Sequence, residues 1–242
     1  MSISNHLSGI ILKEYNVREN DKSITFYSKE EGKVEILVQG ARRINSKLNP
    51  IISARFSFLD LVVIKGKRNY RLIDGETQEK FEGLIKDYQK ILLLNNILKK
   101  VDGLLKFQKT DEKILALILE FLRQVDRLPI KKALPLAAAF LIKLLAFVGY
   151  CPELKHCYIC QKSLSTKQIF FDLNKGSVIC SNHRLGTVLD GSRIEISLDC
   201  LEVLQILLYK NFDYLEKYEI KKQEFLKTWE LVNKFLKWQT ES

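Results

Sequence analysis

The sequence predicts an α+β chain: a five-stranded barrel first, then a helical domain with a small finger inserted into it. Three observations carry this expectation. Short runs rich in Ile, Val, Phe and Tyr alternate with turn residues over the first 80 positions. Apolar residues recur at helical spacing after Gly75, and two close Cys/His pairs interrupt the helical half.

The runs at residues 9–13, 23–28, 34–38, 56–64 and 70–74 are punctuated by Asn20-Asp21, Glu31-Gly32, residues 45–50 and Gly66-Lys67. Such residues end strands because they supply turn conformations or lack a backbone donor. With no helical period between most of the runs, a small antiparallel barrel follows, and the five-stranded OB-fold is the simplest of that size. Beyond Gly75, Phe81, Leu84, Ile85, Tyr88, Ile91 and Leu92 share one helical face, as do Ile114, Leu117, Ile118, Phe121, Leu122 and Val125. Thr110 with Asp111 and Glu112 reads as the start of the second helix. Pro129 opens a third, ending near Gly149. Ser197 with Asp199 caps a fourth through Leu201, Leu204, Leu207 and Leu208, and a last one carries Phe225, Trp229, Val232 and Leu236. Residues 1–78 are therefore expected to form the OB-fold domain and 79–242 the helical domain, with the finger at about 151–193.

Composition narrows the class. Hydrophobic residues at 46% and charged residues at 28% exclude a disordered or collagen-like chain. Five cysteines, odd in number and uneven in spacing, do not make a disulfide scaffold and suit a reducing compartment. Residues 1–6 lack the basic start and apolar run of a signal peptide. The most apolar stretch, residues 133–150, contains Pro135 and Lys143 and falls short of the roughly 20 apolar residues a membrane span needs. A cytoplasmic protein without membrane contact is expected.

Cys157-Tyr-Ile-Cys160 is followed, after nineteen residues, by Cys180-Ser-Asn-His183. Between the pairs, residues 168–173 and 177–179 flank Asn174-Lys175-Gly176, a hairpin signal. Each two-residue spacer lets two ligands reach one ion, and Zn²⁺ prefers four N or S ligands in a tetrahedron. The spacing predicts one structural Zn²⁺ on Cys157, Cys160, Cys180 and His183, the finger thus being a zinc finger. With all four positions filled, and Asp172 the only carboxylate in the hairpin, a closed site is expected rather than a catalytic one. Cys151 and His156 complete no two-residue spacer. Cys200 lies in an apolar helical pattern and reads as core.

The charge is uneven. Lys33, Arg42, Arg43, Lys47, Arg55, Lys65, Lys67, Arg68 and Arg71 are opposed only by Glu35 and Asp60, so residues 33–71 carry +7 of the chain's net +10. That excess in one small module exceeds what solubility needs and points to nucleic acid. The phosphate contacts are expected from Lys33, Arg42, Arg43, Lys47, Lys65, Lys67, Arg68 and Arg71, while Tyr27, Phe56, Phe58 and Tyr70 are assigned to the barrel interior. No GxSxG, GxxxxGK[ST], GxGxxG or HExxH occurs, and no cluster of carboxylates suits a two-metal nuclease. A binding protein is expected, not an enzyme; a zinc-containing RNA-binding protein or an adaptor without annealing activity is the competing reading.

Gly9-Ile-Ile-Leu-Lys-Glu-Tyr15, Glu19-Asn-Asp-Lys22, Tyr27-Ser-Lys-Glu-Glu-Gly-Lys33 and Gly40-Ala-Arg-Arg43 follow one another in an order that resembles the RecO family of bacterial DNA repair proteins. The resemblance continues through Phe58-Leu-Asp-Leu61, Gly149-Tyr150 and Pro152-Glu-Leu154, and so covers nearly the whole chain. It implies an N-terminal OB-fold and a helical C-terminal domain bearing a zinc finger. It also implies a recombination mediator that binds single- and double-stranded DNA, anneals complementary strands and, with RecR, helps load recombinase onto single strands. The acidic C-terminal tail of single-stranded DNA-binding protein would dock on the helical domain, and the protein would associate with the nucleoid. Zinc sites of the family often use four cysteines, where His183 stands in the last position here.

Overall fold

Strand β1 (Ser4–Asn16) organises the barrel by pairing on both sides. Its first half runs antiparallel to β4 (Phe58–Lys65) and its second half to β2 (Lys22–Ser28). A register shift between Ile11 and Lys13 bends it from one neighbour to the other. Gly9 stands at the crossover, where a Cβ would lie 2.0 Å from the Tyr27 carbonyl oxygen. β3 (Gly32–Val38) pairs with β2, and β5 (Tyr70–Glu79) with β4. A short parallel pairing, Ile36 with Tyr70 and Leu37 with Arg71, closes the five strands in the order β1-β2-β3-β5-β4. The barrel is of the OB type, and alternate residues such as Ile24, Phe26, Ile36, Val38, Leu59, Leu61 and Val63 fill it. This is a computed structural model, describing residues 4–67, 69–107, 109–164, 168–183 and 191–241.

The strands differ from the apolar runs at their ends. β1 starts at Ser4, because Ser4, Asn5 and His6 pair with β4 through backbone groups that side-chain patterning does not record. β5 continues through Gly75 to Glu79, which pairs with Phe58. β4 starts at Phe58 and not at Phe56, whose φ of 58° lies in the left-handed region and cannot belong to a strand. The expected turn at 45–50 runs into a short helix, α1 (Asn49–Ser53), opened by Pro50 and burying Ile52.

The helical face expected from Phe81 to Leu92 belongs to two helices, α2 (Glu82–Ile85) and α3 (Tyr88–Leu104). Asp87 separates them by accepting hydrogen bonds from the backbone N–H of Gln89 and Lys90, a new N-cap. Asp111 caps α4 (Glu112–Arg127), one residue after the expected start. Chain contacts divide the molecule into two compact units, Met1–Ile130 and Lys131–Ser242. The β-strands of the barrel end close to residue 78, while the first unit continues through α4.

Among its described residues, the second unit carries nearly all of α5 (Ile130–Phe147), a three-stranded sheet and three further α-helices. Its strands, β6 (Ile169–Asp172), β7 (Ser177–Cys180) and β8 (Arg193–Ile196), lie in the order β7-β6-β8. The hairpin at 174–176 is present, with Gly176 at φ 60° and the Asp172 carboxylate accepting from the N–H groups of Asn174 and Lys175. Ser197 caps α6 (Leu198–Tyr209), and α8 (Lys222–Glu241) closes the chain. Strand β8 and α7 (Phe212–Lys217) have no counterpart in the sequence reading. Among the described residues, no helix is long and apolar enough to cross a membrane.

Candidate metal centre and basic surface

The hairpin places Cys180 on the last residue of β7, and a single 3-10 turn, Ser181–His183, swings His183 back beside it. The facing knuckle is folded by its own backbone: Cys157 N–H donates to Lys162, and Gln161 N–H donates to Cys157. Tyr158 N–H donates to Val178, fixing the knuckle to β7. Gln161 adopts φ 59°, a left-handed conformation that glycine would take without strain and that the sequence did not flag.

These elements bring Cys157, Cys160, Cys180 and His183 together, with ligand atoms all within 4.8 Å of one another. Cys157 Sγ is 3.7 Å from His183 Nδ1, Cys180 Sγ is 3.2 Å from the same nitrogen, and Cys160 Sγ is 4.0 Å from Cys180 Sγ. A tetrahedral zinc ion separates such atoms by about 3.5–3.8 Å, so the cluster fits one metal ion with little adjustment. Burial pushes the Cys157 thiol up, but hydrogen bonds from the backbone N–H groups of Cys160, Cys180 and Ile159 outweigh it and bring its pKa to about 6. Burial, then the neighbouring Cys157 sulfur, raise Cys180. A thiolate held by N–H donors is the form a metal needs. Phe170, Ile179 and Leu164 pack around the cysteines. Asp172 is committed to the hairpin turn and to Arg193, 3.3 Å away, so it is not placed as a base. Cys200 is buried in α6 with its Sγ 3.4 Å from Thr228 Oγ1.

The basic residues of the barrel separate into distinct groups. Arg42, Arg43 and Lys47 are exposed on the connection between β3 and α1, where Arg42 Nη1 donates to the Glu19 carbonyl at 2.9 Å. Lys65 and Lys67 are exposed at the β4–β5 turn, and Lys65 pairs with Glu31 at 3.6 Å. Arg68 lies outside the described residues. Arg71 is exposed and reaches Gln39 at 3.4 Å. The parallel pairing of β3 with β5 sets Arg71 beside the start of the first loop, while the Lys65 and Lys67 turn lies at the other end of β3, next to Glu31. Glu35 is wrapped by the hydroxyls of Tyr15, Ser23 and Thr25. Arg55 is half-buried, bonded to Asn95 and lying over the Phe56 ring.

Lys33 does not belong to this surface. It is 6% exposed, its ammonium is 2.7 Å from the Asp102 carboxylate, and it donates to the Leu105 carbonyl at 3.2 Å. Its side chain points inward because position 33 packs against the end of α3, and a phosphate has no access to a charge already enclosed there.

The order of parts, a closed OB barrel followed by a helical half carrying paired knuckles around a hairpin, matches known proteins along the whole chain. The family model described as Recombination protein O N terminal matches residues 1–81, and that described as Recombination protein O C terminal matches residues 85–242. The DNA repair protein RecO of Caldicellulosiruptor saccharolyticus is 28% identical over 216 residues, covering 88% of this chain and 84% of that protein. The RecO proteins of Alkaliphilus metalliredigens and Acetivibrio thermocellus are 27% and 26% identical, each over 88% of this chain and over 84% and 82% of their own lengths. With both halves matched in order, the chain belongs to the RecO family.

Proposed function

We propose that the chain acts in DNA repair and recombination as a DNA-binding mediator that brings complementary strands together without catalysing a covalent step. The observation that carries this reading is the exposure of basic side chains at both ends of the β3–β5 pair, Arg42, Arg43 and Lys47 after β3 with Arg71 reaching Gln39 beside them, and Lys65 and Lys67 before β5. Phosphate contacts from such a surface are independent of sequence, as a repair mediator requires, and a basic surface screens the repulsion between two strands during annealing. Membership of the RecO family supports DNA as the polyanion.

The Cys157, Cys160, Cys180 and His183 cluster would hold one Zn²⁺, which on binding supplies four-point cross-linking of the finger and no reaction chemistry. RecR and the acidic tail of single-stranded DNA-binding protein are the proposed partners, the tail docking on the helical half. A cleft of about 350 Å³ offers apolar Ile194, Ile196 and Leu231 with Lys227 and Lys234, and an acidic tail seated there would have to compete with Glu224 and Glu230, which pair with the two lysines, and lie beside Glu195.

The test is titration of fluorescently labelled single-stranded DNA at several salt concentrations, with RNA of the same sequence alongside. Affinity should fall with salt, each phosphate contact adding about −0.7 to the log–log slope. Salt-independent binding, or a clear preference for RNA, would overturn the reading.

A further inference from the structure

Five side chains of the second unit form a row that neither the metal centre nor the barrel uses. Lys155 Nζ lies 5.2 Å from the centroid of the Tyr209 ring, and Lys210 Nζ lies 5.1 Å from that of Tyr214. Tyr214 stacks with Tyr218 at 5.8 Å and an interplanar angle of 21°. Tyr209 is 48% exposed and Tyr214 43%.

The backbone holds the row in place. Tyr209 is the last residue of α6, Lys210 is its C-cap, and the Asn211 side chain caps α7, which carries Tyr214 one turn in. Tyr218 follows at the i+4 position. On the other flank, Gln205 Nε2 donates to the Leu154 carbonyl at 2.8 Å, fastening the loop that carries Lys155 to α6. Glu153 borders the row near Tyr209 and Glu202 near Tyr218, leaving the cationic side to the two lysines.

Aromatic faces alternating with cations suit a ligand that offers a flat ring and an anion in each repeat. We propose that this row is a second contact for single-stranded nucleic acid, with bases stacking on Tyr209, Tyr214 and Tyr218 and Lys155 and Lys210 turning outward to phosphates. A base on an exposed tyrosine is held more firmly than an exposed ammonium on the same ring, so the ligand displaces the lysines. The proposal rests on the reading that the barrel loops hold a first strand: annealing needs a place for a second, and the row lies on the other compact unit.

The experiment uses the full chain and a labelled oligothymidine short enough to occupy one contact. Wild type should take up two oligonucleotides per chain. Tyr209→Ala/Tyr214→Ala should take up one, the second binding weakened by roughly 5- to 150-fold for each ring removed. Tyr209→Phe/Tyr214→Phe, which keeps the rings, should bind like wild type. Should the alanine variant fail to fold by circular dichroism, Lys155→Glu/Lys210→Glu, altered only at the surface, must lose the second site in its place. An oligonucleotide bearing 5-iodouracil should photo-crosslink to Tyr209 or Tyr214. A single site per chain, lost in Arg42→Glu/Arg43→Glu and untouched by the tyrosine and lysine variants, overturns this proposal and leaves the barrel reading intact. Two sites that both survive the arginine change overturn the barrel reading instead.

Discussion

Lys33→Met separates a structural lysine from a DNA-binding one. Methionine keeps the unbranched stem, so packing changes little, but the ammonium is removed from the Asp102 carboxylate at 2.7 Å and from the Leu105 carbonyl at 3.2 Å. The Phe107 ring also loses a cation 4.6 Å from its centroid. Breaking a buried pair by removing one partner costs about 3–5 kcal/mol, most of it from the charge left behind. The Asp102 side chain is 21% exposed, so water relieves part of that penalty, and a loss of about 3 kcal/mol is expected. Urea denaturation followed by circular dichroism measures it. Lys33→Met/Asp102→Leu, which leaves neither charge, should recover more than half of the loss. The salt slope of DNA binding should stay unchanged in the single variant, since a buried ammonium releases no counterions from DNA. A destabilisation below about 1 kcal/mol, or a slope shallower by about 0.7, would refute the placement of Lys33 inside the unit.

Reversal of the exposed arginines should do the opposite. Arg42→Glu/Arg43→Glu should flatten the salt slope by about 1.4 and weaken binding alike for every DNA sequence, with unfolding unaltered; an unchanged slope in the folded variant would move the DNA site elsewhere. Elemental analysis of protein purified without chelator should give one zinc per chain, and Cys160→Ser should abolish it while the barrel melts as before; zinc near zero removes the metal claim. In the metal-free protein, the Cys157 pKa is depressed from the unfolded value near 9 to about 6. Its contribution to stability is therefore complete above pH 9 and is lost as pH falls toward 6, whereas Cys180, raised on folding, stays protonated through that window. Urea midpoints of chelator-treated protein should decline from pH 9 to 6, and a flat profile counts against the N–H-held thiolate.

The legible parts of the fold were those written in side-chain periodicity or cap chemistry. Alternation in Leu59, Leu61 and Val63 gave a strand because one face of it is buried, and Ser197 and Asp111 gave helix starts because their oxygens accept free N–H groups. What stayed hidden is carried by the backbone. The first residues of β1 pair through main-chain groups with polar side chains outside, and the Asp87 cap splits a face that looks continuous from Phe81 to Leu92. Phe56 occupies a left-handed conformation that no propensity for phenylalanine would suggest.

The site divides along the same line. The convergence of Cys157, Cys160, Cys180 and His183 was readable because a two-residue spacer is itself a geometric statement: two side chains leaving one tight turn must converge. A basic side chain makes no such statement. Lys33 and Lys65 are the same residue type in the same window, yet one ammonium is enclosed by α3 and the other stands 60% exposed beside Glu31. Only the fold decides which charge retains a hydration shell and a phosphate to exchange it for. Counting charges along the sequence therefore overstates the surface field: with Lys33 internal and Arg55 engaged by Asn95, the exposed charge gathers at two loops. Those loops leave opposite ends of the paired β3 and β5, with Arg71 on the strand between, so the proposed DNA surface would run along a strand pair and not along one stretch of chain.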